Sequence, residues 1–163
     1  MMKKKGFIVL LVVLTLLATM STALASESRT VYRTGLSGEP NGSGSDAHGN
    51  AVFMFEGDGT GLNYKLVVNG LDEVIMAHIH VAAEPGGDGP PVLWLYPDAP
   101  PPSHIEGTFN GLLGSRMVTS SDLTGAAGIT SLADLMMAIE QGRAYVNVHT
   151  IAFPAGEIRG TIH

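Results

Sequence analysis

Past residue 26, the apolar positions fall in short runs separated by Gly, Pro, Asn and Asp, the rhythm of strands and turns. Residues 31–36 read as a first strand, and the Gly/Ser/Asn/Asp-rich stretch 38–50 as a loop. Residues 51–55 and 62–68 read as a hairpin about Gly57-Asp58-Gly59-Thr60-Gly61, with Leu62, Tyr64, Leu66 and Val68 on one face. Asn69-Gly70 predicts another reversal before a strand at 74–81. A Pro/Gly-rich loop at 84–91, a short strand at 92–96, four prolines within 97–102 and a strand at 105–109 follow. Leu132, Leu135, Met136 and Ile139 keep helical spacing, with Ser131 as cap, Asp134 three residues on and Gly142 as stop. Strands at 145–150 and 157–162 flank a turn at Pro154-Ala155-Gly156. About eight strands with one short helix near 131–141 predict an all-β fold, an antiparallel Greek-key β-sandwich.

The first residues follow a different pattern. Lys3, Lys4 and Lys5 precede an almost wholly apolar stretch at 7–17, then small residues ending in Ala23-Leu24-Ala25. That order predicts a signal peptide over 1–25, cleaved after Ala25, and a secreted or periplasmic protein. An uncleaved anchor is the alternative, but the apolar stretch is short for a span. Cleavage removes three lysines and leaves six cationic against 15 anionic side chains. Such an acidic chain lacks the cation stripe that nucleic acid requires, so nucleic acid is not expected as a partner. Cysteine is absent, which excludes disulfides, thiolate catalysis and cysteine-ligated metal. No second apolar stretch is long enough to cross a membrane.

Candidate chemistry lies in two strands. His78 and His80 sit two apart in Ala77-His78-Ile79-His80-Val81 and so share a face, with Ala77, Ile79 and Val81 opposite. In 144–150, Tyr145, Asn147 and His149 share one face, and Ala144, Val146 and Val148 the other. The Cβ atoms of His78 and His80 then lie roughly 6.5–7 Å apart, from a rise of ~3.3 Å per residue. If the two strands are neighbours, His149 completes an all-nitrogen site suited to copper, zinc or nickel. Glu157, His104, Asn147 and Asp88 are candidates for a fourth ligand or for orienting an imidazole, and Met76 for a thioether ligand. The competing reading is structural: the histidines hold loops through hydrogen bonds and bind nothing.

Other residues carry weaker signals. Glu157 and Arg159 share a strand face and read as ion-paired or cross-strand partners. Asp46, His48 and Asn50 form a polar group in a loop, and His104 stands beside the prolines; each histidine alone reads as a surface residue. His163 reads as frayed. Trp94 and Tyr96 read as an aromatic edge that packs the sandwich end or touches a partner. No nucleophile elbow, P-loop or dinucleotide fingerprint is present, and the Asp-Gly pairs lack the order of a calcium loop.

Several segments together resemble the CHRD family, the domain first recognised in chordin and widespread in secreted microbial proteins. They are Tyr32 to Gly38 with Glu39-Pro40, Gly61-Leu62-Asn63-Tyr64, Gly70-Leu71, Ala77-His78-Ile79-His80 and Gly86 to Val92. The closing segments are Ala144-Tyr145-Val146-Asn147-Val148-His149-Thr150 and Pro154-Ala155-Gly156-Glu157-Ile158-Arg159-Gly160. The resemblance covers residues 30–163 and implies one extracytoplasmic β-sandwich domain. It departs after Glu39, where a single proline stands instead of the family's usual pair. A more distant similarity is to copper/zinc superoxide dismutase, whose sandwich carries an H-x-H strand pair like His78 and His80. The chain lacks that enzyme's zinc loop and cysteines, which argues against dismutase activity.

Two functions compete. In the first, the protein is a non-catalytic binding or structural module, with an extracellular protein or glycan as partner and open sheet edges that allow self-association. In the second, His78, His80 and His149 bind copper or zinc, with oxidoreductase activity as a further step. The residues alone do not decide whether the protein is an enzyme.

Overall fold

The computed structural model describes residues 28–163, so the predicted leader at 1–25 lies outside the described residues. The described chain is all-β with one short helix. Strands β1 (Thr30–Ser37) and β2 (His48–Phe55) pair antiparallel along their full lengths. Strand β3 (Leu62–Val81) then pairs with β2 and β5 (Ile105–Val118) and, further along, with β4 (Pro91–Tyr96) and β6 (Ala144–Thr150). Strand β7 (Ile158–Thr161) pairs with β6 and returns to β1.

The pairing produces a sheet folded upon itself. The first half of β3 lies between β2 and β5, and its second half between β6 and β4. Layers β1-β2-β3-β5 and β7-β6-β3-β4 therefore share β3 at one corner. They close at the other through Ser37 opposite Arg159 and reciprocal backbone bonds between Arg33 and His163. His163 is thus tied to β1 rather than frayed.

Two expectations need correction. Asn69-Gly70 does not reverse the chain; the predicted strands at 62–68 and 74–81 are one strand of 20 residues. Gly70 (φ 73°) and Glu73 (φ 55°) bend it, and the register with β5 shifts at both places. Bulges of this kind let one strand serve two layers. This fusion makes seven strands where eight were expected. The strand predicted at 105–109 runs on to Val118, its pattern interrupted in sequence by Gly107, Gly111 and Gly114.

The core lies inside the fold, around fully buried Phe53, Phe55, Leu66, Ile79, Leu95 and Ile158. Helix α1 (Leu132–Glu140) closes one end with Leu132, Leu135 and Ile139. The Ser131 hydroxyl accepts from the Asp134 amide at 3.1 Å, and the Asp134 carboxylate from the Ser131 amide at 2.9 Å, a reciprocal cap. Among the described residues, no helix is long and apolar enough to cross a membrane.

Candidate metal centre

Alternation in β3 and β6 sends Ala77, Ile79, Val81, Val146 and Val148 into the core, all fully buried. His78, His80, Tyr145, Asn147 and His149 therefore point to the outer side of the same layer. The antiparallel register sets His78 opposite Asn147 and His149 opposite Met76, so His78 and His149 meet diagonally. Ligand atoms of His78, His80 and His149 lie within 4.8 Å of one another. The three residues expected to meet do so.

This outer face is nevertheless buried. His78, His80 and His149 are 3%, 8% and 5% exposed. Loops roof them. The His80 Nδ1 lies 2.9 Å from the Gly89 carbonyl, and the His149 Nδ1 lies 3.0 Å from the Pro154 carbonyl. A carbonyl only accepts, so each Nδ1 carries a proton and donates it. In the neutral rings, Nε2 then holds the bare lone pair. The His78 Nδ1 lies 3.3 Å from the His149 Nε2. The buried Nε2 atoms of His78 and His80 have no hydrogen-bond partner.

Burial also sets the protonation. It pushes the His78 imidazole down to about 3, helped by the nearby His149 and His80. It pushes His149 down to about 4, against the Pro154 bond, which favours the charged form. His80 is lowered chiefly by burial, with the Gly89 bond opposing and Arg159 assisting. The cluster is thus neutral at ordinary pH, the state in which imidazole binds metal.

Aromatic neighbours fix the rings. Trp94, directly across β4 from His78, packs against it at 4.2 Å between centroids and 89° between planes. Tyr145 stacks on His80 at 5.1 Å and 15°, and the Arg159 guanidinium caps the Tyr145 ring at 3.4 Å. Arg159 also donates to Asp88 at 2.6 Å and to the Gly87 carbonyl, anchoring loop 84–91. Gly89 is required there, because a Cβ would sit 1.9 Å from the Val81 carbonyl oxygen.

The remaining candidates have other partners. Glu157 accepts from the Ser45 hydroxyl at 2.6 Å and the Thr150 hydroxyl at 2.7 Å, so the carbonyl of Pro154 orients His149 in its place. His104 is exposed and pairs with Glu73, outside the cluster. Asn147 latches two loops: its Oδ1 accepts from Asn41 at 2.9 Å and its Nδ2 donates to the Ala155 carbonyl at 3.0 Å. Gly156 (φ 122°) makes room for it, since a Cβ would meet the Asn147 side chain at 2.2 Å. His48 is exposed and meets the Asp46 carbonyl at 3.4 Å. The role of Trp94 beside His78 was missed in the sequence, because it depends on the β3–β4 register.

Three imidazoles on two paired strands can hold one ion. Two nitrogens bonded at ~2.0–2.1 Å with a tetrahedral angle stand about 3.3–3.4 Å apart, the separation of the His78–His149 pair. An ion between them would be held by His149 Nε2 and by His78 Nδ1, with His78 carrying its proton on Nε2 instead, and His80 would turn towards it to complete the set.

The chain belongs to the CHRD-domain family, whose model matches residues 22–162. This domain is typical of secreted and extracellular proteins. No curated protein and no solved structure shows significant similarity to the chain.

Proposed function

We propose that this CHRD-domain protein acts outside the cytoplasm as a non-catalytic module whose His78, His80 and His149 hold one copper or zinc ion. Export rests on the leader pattern at 1–25, and the extracellular setting on the family. One observation carries the metal reading. Three neutral imidazoles converge in a buried pocket, two of them held through Nδ1 by backbone carbonyls. Tying the outer ring nitrogen in this way is how proteins aim the inner one at a metal. A nitrogen-only set suits copper and zinc.

The same bonds also support a second reading, in which the cluster only staples loops 84–91 and 151–157 to the sheet. Metal analysis of the mature, untagged protein separates the two. The expected result is about one equivalent of copper or zinc per chain. It should vanish in the double variant His78→Ala with His80→Ala, and in the bulkier His78→Gln with His80→Gln. A native protein that stays metal-free after exposure to both ions would leave the stapling role alone.

A further inference from the structure

A cleft of about 360 Å3 opens beside the cluster, where loops 38–46, 84–91 and 151–157 come together. His80, Asn41, Asp88, Tyr145, Asn147 and Arg159 contribute to its wall. His80 is the cluster member that reaches this wall, and its buried Nε2 is unpartnered. The volume is roughly ten times the ~30 Å3 share of one water, enough for a molecule of several heavy atoms.

The charges around the cluster define what such a molecule should be. Three neutral imidazoles bring no charge to an ion. Glu157 turns its carboxylate to the Ser45 and Thr150 hydroxyls and Asp88 pairs with Arg159, so neither carboxylate is turned to an ion held by the histidines. Arg159 and Asp88 stand on the same wall as a pair and together add no net charge there. A divalent ion buried here without a counter-charge is strongly disfavoured. Three protein ligands also leave a tetrahedral ion one position short.

We infer that the cleft admits a small anion, a carboxylate or an inorganic monoanion, as the fourth ligand of the ion held by the histidines. The inference rests on the metal reading above. Arg159 and Asn41 line the cleft together with His80, and the anion supplies negative charge at the ion itself, which three neutral imidazoles do not.

The test uses the mature, untagged protein loaded with Co(II), with metal content and visible spectrum recorded on the same sample. Sodium azide and sodium acetate should each shift the cobalt absorption saturably and should compete with each other. Neutral acetamide, of similar shape to acetate, should leave it unchanged. Asp88→Asn, which removes a negative charge at the rim while retaining an acceptor for Arg159, should tighten acetate about threefold. Bound cobalt whose spectrum neither anion moves, or acetamide binding as well as acetate, would overturn the inference. A response to azide alone would restrict the cleft to inorganic anions and overturn the carboxylate arm. A chain that takes up neither cobalt nor copper nor zinc would instead overturn the metal reading, which the metal analysis records independently of the spectra.

Discussion

On the inner face of β3 and β6, Ala77, Ile79, Val81, Val146 and Val148 meet an apolar core. On the outer face of the same strands, His78, His80, Asn147 and His149 are also almost wholly shielded from water, by loops rather than by a second sheet. The inner face gains about 1.5–3 kcal/mol for each large side chain buried. The outer face exchanges water for protein hydrogen bonds, a net of only about 1 kcal/mol each, and leaves the Nε2 atoms of His78 and His80 unpartnered. One face stabilises the fold; the other draws on that stability to hold three imidazoles together out of water. Local departures of this kind are concentrated at functional sites but also occur in purely structural networks.

The comparison can be broken from either side. Truncating the inner face should have the largest effect. Ile79→Ala should destabilise by about 2–5 kcal/mol in a denaturant titration, while the folded fraction keeps its histidine cluster. Equal loss of metal uptake in that folded fraction would show that the two faces are not separable.

Acid comes next, and it acts on the outer face. His78 and His149 have folded pKa values of about 3 and about 4, below the ordinary 6.5. Between those limits the unfolded chain binds more protons than the folded one. Stability of the metal-free protein should therefore fall as pH drops from 6.5 towards 4, by up to about 1.4 kcal/mol per pH unit for each of the two histidines. His149→Leu should flatten this slope in a urea titration repeated across the range. An unchanged slope would mean that the imidazoles are not buried as neutral groups.

A smaller effect is expected from Asn147→Ala, which leaves the Asn41 amide and the Ala155 carbonyl without their partner. It should cost about 1–3 kcal/mol. Amide exchange should accelerate in 38–46 and 151–157 before it does so in β3. Uniform acceleration would place Asn147 in the core's energetics instead of the roof's.

Much of this was legible in the chain. Period-two alternation in 74–81 and 144–150 announced two-faced strands and named the residues on each face. Ser131 and Asp134 announced the helix start. The bend at Gly70 and Glu73 was not legible, because a glycine after asparagine signals a turn unless a neighbouring strand pairs across it, as β5 does here. Nor was the full length of β5, where three glycines dilute the pattern. Glu157 and His104 were plausible companions for the cluster by residue type alone. Ser45, Thr150 and Glu73 compete for them, and those competitors are distant in sequence or lie across a turn.

By itself, then, the order of residues determined the strand class, the capped helix, the absence of thiol chemistry and the shared face of His78 with His80. Those are consequences of local geometry, in which each side chain's direction follows from its neighbours on the same strand. Only the folded arrangement decided that His149 stands diagonal to His78, that Trp94 walls the cluster and that loops from three parts of the chain exclude water above it. Register and loop closure depend on contacts between segments more than 100 residues apart, as with Asn41 and Asn147, 106 apart. No local pattern records such contacts.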